Sequence, residues 1–518
     1  MTEPTRTANL EGLDPELREI LEPHDSHNLR LVDNVHPTDW VNPDPAERYH
    51  LVVIGAGTAG LVSAAGAAGL GARVALVEKK LMGGDCLNYG CVPSKALISA
   101  ARSWRRARVP SDFASPRAQG EGDFSKVMER MRRLRADISR HDSARRFRDL
   151  GIDVFIGEGR FVASDAIEVD GKHLLFRRAV IATGASPMIL PIPGLAESDF
   201  LTNETVFTLT ELPGRLAVIG GGPIGCELAQ SFARFGSRVS LFDIAPHVLI
   251  REDADAAGIV QNALIEDGVD LRLGVNTQRI ETKGSETAIT FESEGRSEKM
   301  RFDQLLLAVG RVPNVTGIGL EAAGVEFTKH GVTVDDRLRS SNSRVYAVGD
   351  VASRFKFTHV ADALARIAIQ NSLFFGRKKA SSLVIPWCTY TDPEIAHVGM
   401  YEKDAEEAGL EAETLTIPLS DVDRCVLEGA TEGFLRLHVE KGKDRILGAT
   451  LVADHAGDML GELSLAVTNK VGLNQIAGTI HAYPTQAEVI KKAADTWRRG
   501  KLTPMVSRAF QLFFKLFR

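Results

Sequence analysis

A strand–turn–helix–strand pattern that occurs twice most constrains how this chain can fold. Residues 50–78, HLVVIGAGTAGLVSAAGAAGLGARVALVE, and residues 214–243, GRLAVIGGGPIGCELAQSFARFGSRVSLFD, each carry an apolar run, a G-x-G-x-x-G turn, a helix-forming run and a second apolar run. The glycines allow a tight turn and a close approach of the backbone to a pyrophosphate at the helix N-terminus. The pattern therefore predicts two dinucleotide-binding units with parallel α/β architecture.

Each unit ends in a carboxylate that suits ribose hydroxyls. If the glycines served only helix–strand packing, that explanation would have to apply twice, so we favour nucleotide binding. The predicted contacts are Gly55, Gly57, Gly60 and Glu78 in the first unit and Gly220, Gly222, Gly225 and Asp243 in the second.

Two later strand ends are predicted to complete the first nucleotide site. They are IATGASP (181–187) and RVYAVGDV (344–351). The Asp350 carboxylate follows a strand and a glycine, which suits the hydroxyl-rich ribityl chain of a flavin.

Composition excludes several other classes of protein. A chain of 518 residues is long enough for several domains, and its net charge of −6 gives no reason to expect a nucleic-acid partner. Five cysteines do not form a secreted disulfide framework. There is no apolar run of ~18 residues and no signal-peptide pattern, so we expect a cytoplasmic protein.

Two segments outside the repeats allow more than one interpretation. The polar extension 1–47 contains His24, His27 and His36, but their spacing fits no zinc pattern, so we expect a partly ordered segment on the surface rather than a metal-binding arm. The arginine-rich stretch 101–148 has helical periodicity. We expect a solvated helix face there rather than a basic binding surface.

Two cysteines lie close together in GGDCLNYGCVPSK, residues 83–95. Zinc would need further ligands, and a structural disulfide across so short a loop would add little stability. Two residues five positions apart in a regular helix are separated by ~7.5 Å along its axis, whereas bridged cysteines need Cα atoms within ~7 Å. Cys86 and Cys91 can therefore close a disulfide only where the helix is irregular or just starting. Gly90 provides that freedom, and a helix N-terminus lowers a thiol pKa. We therefore predict a redox-active pair.

The motifs together are specific for one family. The cysteine motif, both glycine turns, IATGASP, AVGRVPN, YAVGD and HAYPTQAE occur in one order between about residues 50 and 495. The chain resembles the FAD-dependent pyridine nucleotide–disulfide oxidoreductases, which include dihydrolipoamide dehydrogenase, glutathione reductase and mercuric reductase. CVPSK and TYTDPEIAHVG are most similar to mercuric-reductase-like members.

The resemblance implies an α/β fold with two Rossmann-like dinucleotide-binding domains, for FAD and NAD(P), and a C-terminal α+β dimerisation domain in a homodimer. The implied segments are the N-terminal extension (1–47), the first part of the FAD-binding domain (48–204), the NAD(P)-binding domain (205–330), the second FAD-binding or central part (331–378), the dimerisation domain (379–497) and a basic tail (498–518). It also implies FAD contacts at Gly84, Thr183, Gly184, Gly349 and Asp350, and an NAD(P) contact at Gly310.

The resemblance also assigns catalytic roles. Cys91 would be the thiolate next to the flavin, Cys86 the interchange thiol, and Lys95 the cation paired with Glu227 near the flavin. His481 of the partner subunit would be the acid–base, oriented by Glu488. The alternative for Thr485 and Glu488, a T-x-x-E capping box, leaves His481 without a role.

The electron donor and acceptor are less constrained. Asp243 favours the free 2′-hydroxyl of NAD, although Arg251 could accommodate the NADP phosphate and mercuric reductases generally prefer NADPH; we expect NADH. Unlike typical mercuric reductases, the chain lacks a vicinal cysteine pair after Cys425, and it carries His481. The expected acceptor is a disulfide or a soft metal ion, with dihydrolipoamide dehydrogenase activity as the alternative. Lipoamide dehydrogenases commonly have isoleucine where Val92 stands.

The last segment, MVSRAFQLFFKLFR, predicts a basic amphipathic helix. Its four phenylalanines lie on one side and its cations on the other, as in helices that lie on an anionic membrane surface. Residues 505–518 could equally pack against the rest of the chain or against the partner subunit. A membrane-associated, non-catalytic flavoprotein is the alternative from a different class of function.

Overall fold

The computed structural model describes residues 10–108, 122–283 and 286–517. Among these, residues 10–108, 122–246, 267–283 and 286–382 form one compact unit, and residues 247–266 and 383–517 form a second. We call them unit 1 and unit 2.

The helices of the described residues are α1 (Pro15–Glu19), α2 (Ser26–Val35), α3 (Thr58–Gly69), α4 (Gly84–Asn88), α5 (Cys91–Arg108), α6 (Phe124–Ser139), α7 (Ala144–Asp149), α8 (Pro223–Phe235), α9 (Ala254–Glu266), α10 (Thr358–Leu373), α11 (Glu402–Glu407), α12 (Asp423–Leu427), α13 (Ala456–Asn469), α14 (Leu473–Gly478), α15 (Glu488–Gly500) and α16 (Pro504–Leu516). The strands are β1 (Tyr49–Ile54), β2 (Val74–Glu78), β3 (Ile152–Ile156), β4 (Gly159–Ala163), β5 (Ala166–Val169), β6 (Lys172–Ile181), β7 (Ala185–Pro187), β8 (Phe200–Leu201), β9 (Arg215–Ile219), β10 (Arg238–Asp243), β11 (Asp270–Leu273), β12 (Asn276–Lys283), β13 (Glu286–Ser293), β14 (Arg296–Phe302), β15 (Gln304–Leu307), β16 (Arg311–Pro313), β17 (Phe327–Thr328), β18 (Gly331–Val332), β19 (Val345–Ala347), β20 (Pro386–Thr389), β21 (Glu394–Gly399), β22 (Ala412–Pro418), β23 (Phe434–Glu440) and β24 (Ile446–Ala453).

The first sheet of unit 1 places three strand ends at one edge. Its order is β3-β2-β1-β6-β5-β4, with β19 also pairing with β6. β1 is parallel to β2 and β6, and Ile54, Ile181 and Ala347 share one register. A strand between parallel neighbours is covered on both faces, which explains the continuous apolar run of β1. The loops after these three strands therefore emerge together.

The second sheet of unit 1 repeats this arrangement. Its order is β11-β10-β9-β15-β8, and all of its pairs are parallel. Strand β9 lies between β10 and β15 and leads through the second glycine turn into α8. An antiparallel sheet of β12, β13 and β14 comes between β11 and β15 in the chain.

Unit 2 is built on an antiparallel sheet with the order β20-β21-β24-β23-β22. Apolar residues of the sheet, α13, α14 and α15 form its core. The segment 247–266 joins it through Glu252, whose carboxylate accepts hydrogen bonds from Tyr401 Oη (2.6 Å) and Trp387 Nε1 (2.8 Å). Burial raises the pKa of Glu252.

The N-terminal extension is more firmly packed than its polar composition indicates. Leu31, Val32 and Val35 of α2 are fully buried, and α2 packs against α6. Asn42 then makes two hydrogen bonds with the backbone of Ile156 on strand β3, at 2.8 and 2.9 Å. Strand β3 is an edge strand of the first sheet, so the extension covers an edge that would otherwise be open to pairing.

The expectation of a solvated face for the whole arginine-rich stretch is wrong for α6. Arg132 and Arg135 are 6% and 2% exposed. Their partners are Asp25 and Asn28 of the extension and the carbonyl oxygen of Asn88, which helical periodicity alone does not reveal. Residues 109–121 of this stretch lie outside the described residues.

Candidate active site and dinucleotide sites

Gly55 and Gly60 of the first turn, and Gly84 beside it, leave no space for side chains. Gly55 has φ +97°, and a Cβ there would lie 2.3 Å from the Ala182 carbonyl oxygen. A Cβ on Gly60 would lie 1.7 Å from the carbonyl oxygen of Gly55, and one on Gly84 would lie 2.6 Å from the Cα of Gly57. The turn, the start of α3 and the start of α4 therefore approach each other at backbone distance.

Glu78 closes this turn from the end of β2. Its carboxylate accepts hydrogen bonds from the backbone N–H groups of Ala56 (2.6 Å) and Lys80 (2.8 Å). Burial raises the pKa of Glu78, and these two hydrogen bonds act in the opposite direction. The carboxylate thus stands beside the glycine turn, where a ribose would lie.

The two later strand ends reach the same edge of the first sheet. Thr183 donates through Oγ1 to the Asn314 carbonyl oxygen (2.8 Å), and Gly184 has φ +68°. Gly349 has φ +75° and precedes Asp350. Arg311 Nη1 lies 2.9 Å from Asp85 Oδ1, and its Nε lies 3.9 Å from Asp350 Oδ2. Burial raises the pKa of Asp350, while Arg311 and Lys356 lower it.

The second glycine turn has the same geometry. Gly220 has φ +114°, and a Cβ on Gly225 would lie 1.8 Å from the Gly220 carbonyl oxygen. Asp243 at the end of β10 accepts hydrogen bonds from the backbone N–H groups of Gly221 and Ala245. The two turns are therefore built alike, with a carboxylate beside each.

Both turns fit a dinucleotide. A Cβ added to Gly184, Gly222 or Gly310 would meet no atom of the described chain within 4 Å, whereas Gly60 and Gly225 are packed against backbone. Gly184, Gly222 and Gly310 thus leave space in which a ligand could lie, whereas Gly60 and Gly225 keep each turn in contact with its helix. In the first site Gly55, Gly57, Glu78, Gly184 and Asp350 would hold FAD.

The redox turn, residues 86–91, lies between two helices. Cys86 is in α4 and Cys91 is the first residue of α5, so the regular helix is broken between them, as the disulfide geometry requires. Both thiols are free, and Cys91 Sγ lies 3.4 Å from Thr358 Oγ1.

The two thiols titrate differently. The hydrogen bond from Cys86 is the main cause that lowers the pKa of Cys91 to about 6, and Thr358 and Lys95 act in the same direction against burial. The same hydrogen bond, with burial, raises the pKa of Cys86. Cys91 is therefore the thiolate of the pair at neutral pH.

Lys95 and Glu227 are in contact. Lys95 Nζ lies 2.8 Å from Glu227 Oε2, and Glu227 is 5% exposed. Lys95 follows Cys91 by one turn of α5, and Glu227 comes from α8. The ion pair places a cation beside Cys91 and joins the redox helix to the helix of the second glycine turn.

His481 lies in unit 2 and has a different partner from the one expected. Its Nε2 lies 2.8 Å from Glu462 Oε1, and its Nδ1 lies 3.2 Å from the Thr479 carbonyl oxygen. The buried Oε2 of Glu488 makes no hydrogen bond within the described part of the chain. The carboxylate in hydrogen-bonding contact with His481 is therefore that of Glu462, whereas the predicted contact was with Glu488.

The capping-box interpretation is also wrong. Helix α15 begins at Glu488 with Ala487 at its N-cap position and no side-chain cap, and Thr485 Oγ1 donates instead to the Ala482 carbonyl oxygen (3.0 Å).

Comparisons with known proteins now decide the family. Residues 49–365 match the family "Pyridine nucleotide-disulphide oxidoreductase", and residues 385–494 match its dimerisation domain. The chain belongs to this family. The α/β fold and the flavin-dependent oxidoreductase activity predicted from the motifs are confirmed.

Relatives carry two different names. A mercuric reductase of Staphylococcus aureus is 34% identical over 450 residues, 87% of this chain and 82% of the relative. A dihydrolipoyl dehydrogenase of Geobacillus stearothermophilus is 32% identical over 463 residues, 87% of this chain and 97% of the relative. Among solved structures, the HOCl-induced flavoprotein disulfide reductase RclA from Escherichia coli matches with a TM-score of 0.77 and 28% identity, over 86% of this chain and 99% of the other.

Membership of the family implies FAD and a pyridine nucleotide as cofactors, and the dimerisation domain indicates a homodimer. Large apolar side chains of unit 2 agree with a dimer, because they stand more than half exposed as in an interface; they are Val426, Leu427, Leu465, Ile480 and Tyr483. The individual site residues and the finer domain boundaries of this oxidoreductase stay predictions.

The sequence did not indicate three residues of the site: Thr358, Arg311 and Glu462. Thr358 opens α10 and lies 267 positions from Cys91 in the chain. Arg311 lies within the family motif AVGRVPN, but nothing in the local pattern distinguishes it from its neighbours. Glu462 on α13 carried no local signal.

One prediction concerns Thr358. Replacing it by valine removes a hydrogen bond that lowers the pKa of Cys91. Such a bond to a charged group contributes about 1.5–3 kcal/mol, so we expect this pKa to rise by roughly one to two pH units. The thiolate fraction at pH 7 then falls. Thiolate absorbance of the reduced protein against pH measures this, and Thr358→Ser, which keeps the hydroxyl, is the control. An unchanged titration in Thr358→Val would contradict the contact.

Proposed function

We propose that this oxidoreductase passes electrons from NADH through FAD and the Cys86–Cys91 disulfide to a small disulfide or a soft metal ion. The observation that carries the proposal is the redox turn: two free thiols across a break between helices, with the pKa of Cys91 lowered to about 6. A structural disulfide would have no use for such an asymmetry, whereas a cycling pair needs one thiolate and one thiol.

Each residue of the proposed active site has a separate role in the reaction. When bound, FAD supplies a two-electron carrier between the nicotinamide and the disulfide. Thr358 and Lys95 hold Cys91 as the thiolate, and Glu227 holds Lys95. Cys86 is the thiol that meets the acceptor, and His481 of the partner subunit removes its proton, with Glu462 fixing the imidazole.

With a disulfide acceptor, each turnover passes two electrons from NADH to the acceptor through the Cys86–Cys91 pair. The hydride equivalent of NADH, which becomes NAD⁺, converts the Cys86–Cys91 disulfide into the Cys86 thiol and the Cys91 thiolate, and His481 takes the Cys86 proton, which a released acceptor thiolate later accepts. The Cys86 thiolate attacks the acceptor disulfide, forms a mixed disulfide and expels one thiolate. The Cys91 thiolate then attacks the Cys86 sulfur, which re-forms the internal disulfide and releases the second thiolate.

A soft metal ion is supported by a separate observation. Relatives are named mercuric reductases, and the Escherichia coli neighbour is also solved as a Cu(II) complex. Two thiols five positions apart offer soft ligands of the kind such ions select. Dihydrolipoamide dehydrogenase activity is the alternative, favoured by His481 and by relatives of that name.

NADH is the proposed donor because the Asp243 carboxylate, held by two backbone N–H groups, would repel a 2′-phosphate. The deciding experiment is anaerobic oxidation of NADH and NADPH by the purified FAD-loaded protein, with lipoamide, glutathione disulfide, Hg(II) and Cu(II) compared. Fast turnover of a metal ion or glutathione disulfide supports the proposal. Fast turnover of lipoamide alone would identify a dihydrolipoamide dehydrogenase. A preference for NADPH would contradict the proposal that Asp243 selects NADH.

For the C-terminal helix we propose contact with an anionic membrane surface at the cytoplasmic face. Residues 498–518 contain six lysines and arginines and no acidic residue, in a chain with a net charge of −6. Helix α16 has no buried residue, and its aromatic residues Phe510, Phe513 and Phe514, with Phe517 directly after it, are between 51% and 75% exposed. No helix in the described ranges is both long and apolar enough to span a membrane. Cations beside exposed aromatics suit the surface of an anionic bilayer.

Deleting residues 505–518 tests this contact. We expect the full chain to co-sediment with phosphatidylserine vesicles but not with phosphatidylcholine vesicles, and the deletion to reduce sedimentation about tenfold because apolar area and charge are lost together. Unchanged sedimentation would contradict the proposal. Dissociation of the dimer by the same deletion would mean that α16 packs on the partner subunit instead.

A further inference from the structure

A buried arginine joins the N-terminal extension to the redox turn. Arg135 of α6 is 2% exposed. Its Nη1 donates a hydrogen bond to the Asn88 carbonyl oxygen at 2.8 Å, and its Nη2 donates one to Asn28 Oδ1 at 2.7 Å. Asn88 lies between Cys86 and Cys91, and Asn28 lies in helix α2 of the extension. One guanidinium therefore contacts both segments.

The extension presents Asn28 in a fixed orientation. The Asn28 side chain is fully buried, and its Nδ2 donates to the carbonyl oxygens of Leu21 (2.7 Å) and Pro23 (2.9 Å). Asp25 caps α2 through the backbone N–H groups of residues 27 and 28 and accepts a further hydrogen bond from Arg132 Nε at 2.7 Å. Burial alone would raise the pKa of Asp25, but its hydrogen bonds with Asn28 and Arg132 lower it. These contacts fix the start of α2 on α6.

The redox turn depends on the same guanidinium. Asn88 is fully buried, and its Nδ2 donates to the carbonyl oxygens of Met82 (3.1 Å) and Gly84 (2.9 Å), which holds α4 in its short turn. Its own carbonyl oxygen is one of the last of α4, and Arg135 supplies a donor to it. The backbone that carries Cys86 is thus held at its C-terminal end by Arg135.

The arginine needs both acceptors. Burial lowers the pKa of Arg135 to about 10, so the side chain is still a cation at neutral pH. A buried cation is costly unless its N–H groups are hydrogen-bonded. If Asn28 no longer accepts from Nη2, the guanidinium moves toward another acceptor and its contact with Asn88 is lost or weakened.

We propose that the N-terminal extension positions the redox turn through Asn28 and Arg135, and thereby sets the access of reagents to the Cys86 thiol. Arg135 and Asn28 are positioning residues, since neither touches the sulfur atoms. The functional part of this inference rests on the proposed role of Cys86 as the interchange thiol. The order of the turn itself can be measured without any acceptor.

The test uses the reduced, FAD-loaded full-length protein with Asn28→Ala, and Asn34→Ala as the matched control. Asn34 also joins α2 to α6, through Ser139 Oγ at 2.9 Å, but its contact does not reach the redox turn. We expect Asn28→Ala to speed amide hydrogen exchange in residues 86–90 at least tenfold and alkylation of Cys86 at least threefold. We expect Asn34→Ala to leave the amide exchange rates of residues 86–90 and the alkylation rate of Cys86 within twofold of those of the unsubstituted protein.

Asn28→Asp separates the two roles of Asn28. It keeps an acceptor for Arg135 but loses the donors to Leu21 and Pro23, so we expect the redox turn to stay protected although the extension exchanges faster. It also provides a folded variant if Asn28→Ala does not fold. The proposal is overturned if Asn28→Ala exchanges faster in the extension but not in residues 86–90, or if Asn28→Asp exposes the turn as much as Asn28→Ala does. Failure of every acceptor assay with these exchange results intact would count against the proposed function alone.

Discussion

Replacing Cys86 by serine is expected to stop acceptor turnover while leaving reduction of the flavin by NADH intact. The hydroxyl cannot form the mixed disulfide or ligate a soft metal ion, so we expect a loss of at least about a thousandfold in kcat/KM, equivalent to ~4 kcal/mol of transition-state stabilisation. The serine hydroxyl can still donate a hydrogen bond to Cys91, and Thr358 and Lys95 stay beside it, so we expect the Cys91 thiolate to be retained. Stopped-flow absorbance for the flavin and steady-state NADH oxidation for the acceptor measure the two steps separately.

Cys388→Ser is the matched control for this variant. Cys388 is a half-buried thiol of β20 in unit 2, with Sγ 3.6 Å from the Thr389 carbonyl oxygen and 3.8 Å from Glu394 Oε2. We expect its turnover to stay within about twofold, since no proposed step uses this thiol. If Cys86→Ser turned over every acceptor at the original rate, electrons would have to leave from the flavin itself and the assignment of Cys86 would be wrong.

Gly60→Ala is expected to prevent the protein from holding its flavin. The added Cβ would lie 1.7 Å from the Gly55 carbonyl oxygen, and the atom it meets is backbone rather than a movable side chain. Relief requires α3 to move away from β1, which opens the turn where the pyrophosphate would lie. We expect FAD content to fall at least tenfold, and the free energy of unfolding to fall by about 3 kcal/mol, the upper end of usual overpacking costs.

Gly69→Ala tests whether this effect is local. Gly69 ends the same helix, its φ is not positive, and a Cβ there would meet nothing within 4 Å. We expect normal FAD content and a stability change of no more than about 1 kcal/mol, in the stabilising direction because alanine favours helix. Absorbance at 450 nm per protein and urea unfolding measure both quantities. Full FAD loading of Gly60→Ala would contradict the steric argument.

The glycine turns and the cysteine pair could be predicted because their chemistry is local. The close contact that admits only glycine at residue 60 comes from Gly55, and the helix break between residues 86 and 91 is likewise set by residues near in the chain. The family, the fold and the thiol pair could therefore be predicted from local motifs. The sequence also placed Lys95 and Glu227 correctly in contact, although only through the resemblance to the family.

The rest of the site depends on contacts that no local pattern contains. Thr358 reaches Cys91 because α10 begins after a strand of the first sheet, and Glu462 reaches His481 because α13 packs beside that loop. The arginine content of α6 predicts a solvated helix face, whereas Arg135 is buried. Its acceptors, Asn28 and the Asn88 carbonyl oxygen, lie 107 and 47 positions away.

The register of the first sheet also sets an order of events during synthesis. Ile54, Ile181 and Ala347 end three strands that meet at one edge, and the loops after them carry Gly55, Thr183 and Asp350. A ribosome must therefore release about two-thirds of the chain before the third loop exists. If Gly55, Thr183 and Asp350 hold the flavin as predicted, we expect a nascent chain that ends before residue 350 to bind it more weakly than the full chain, because the last of these contacts is missing.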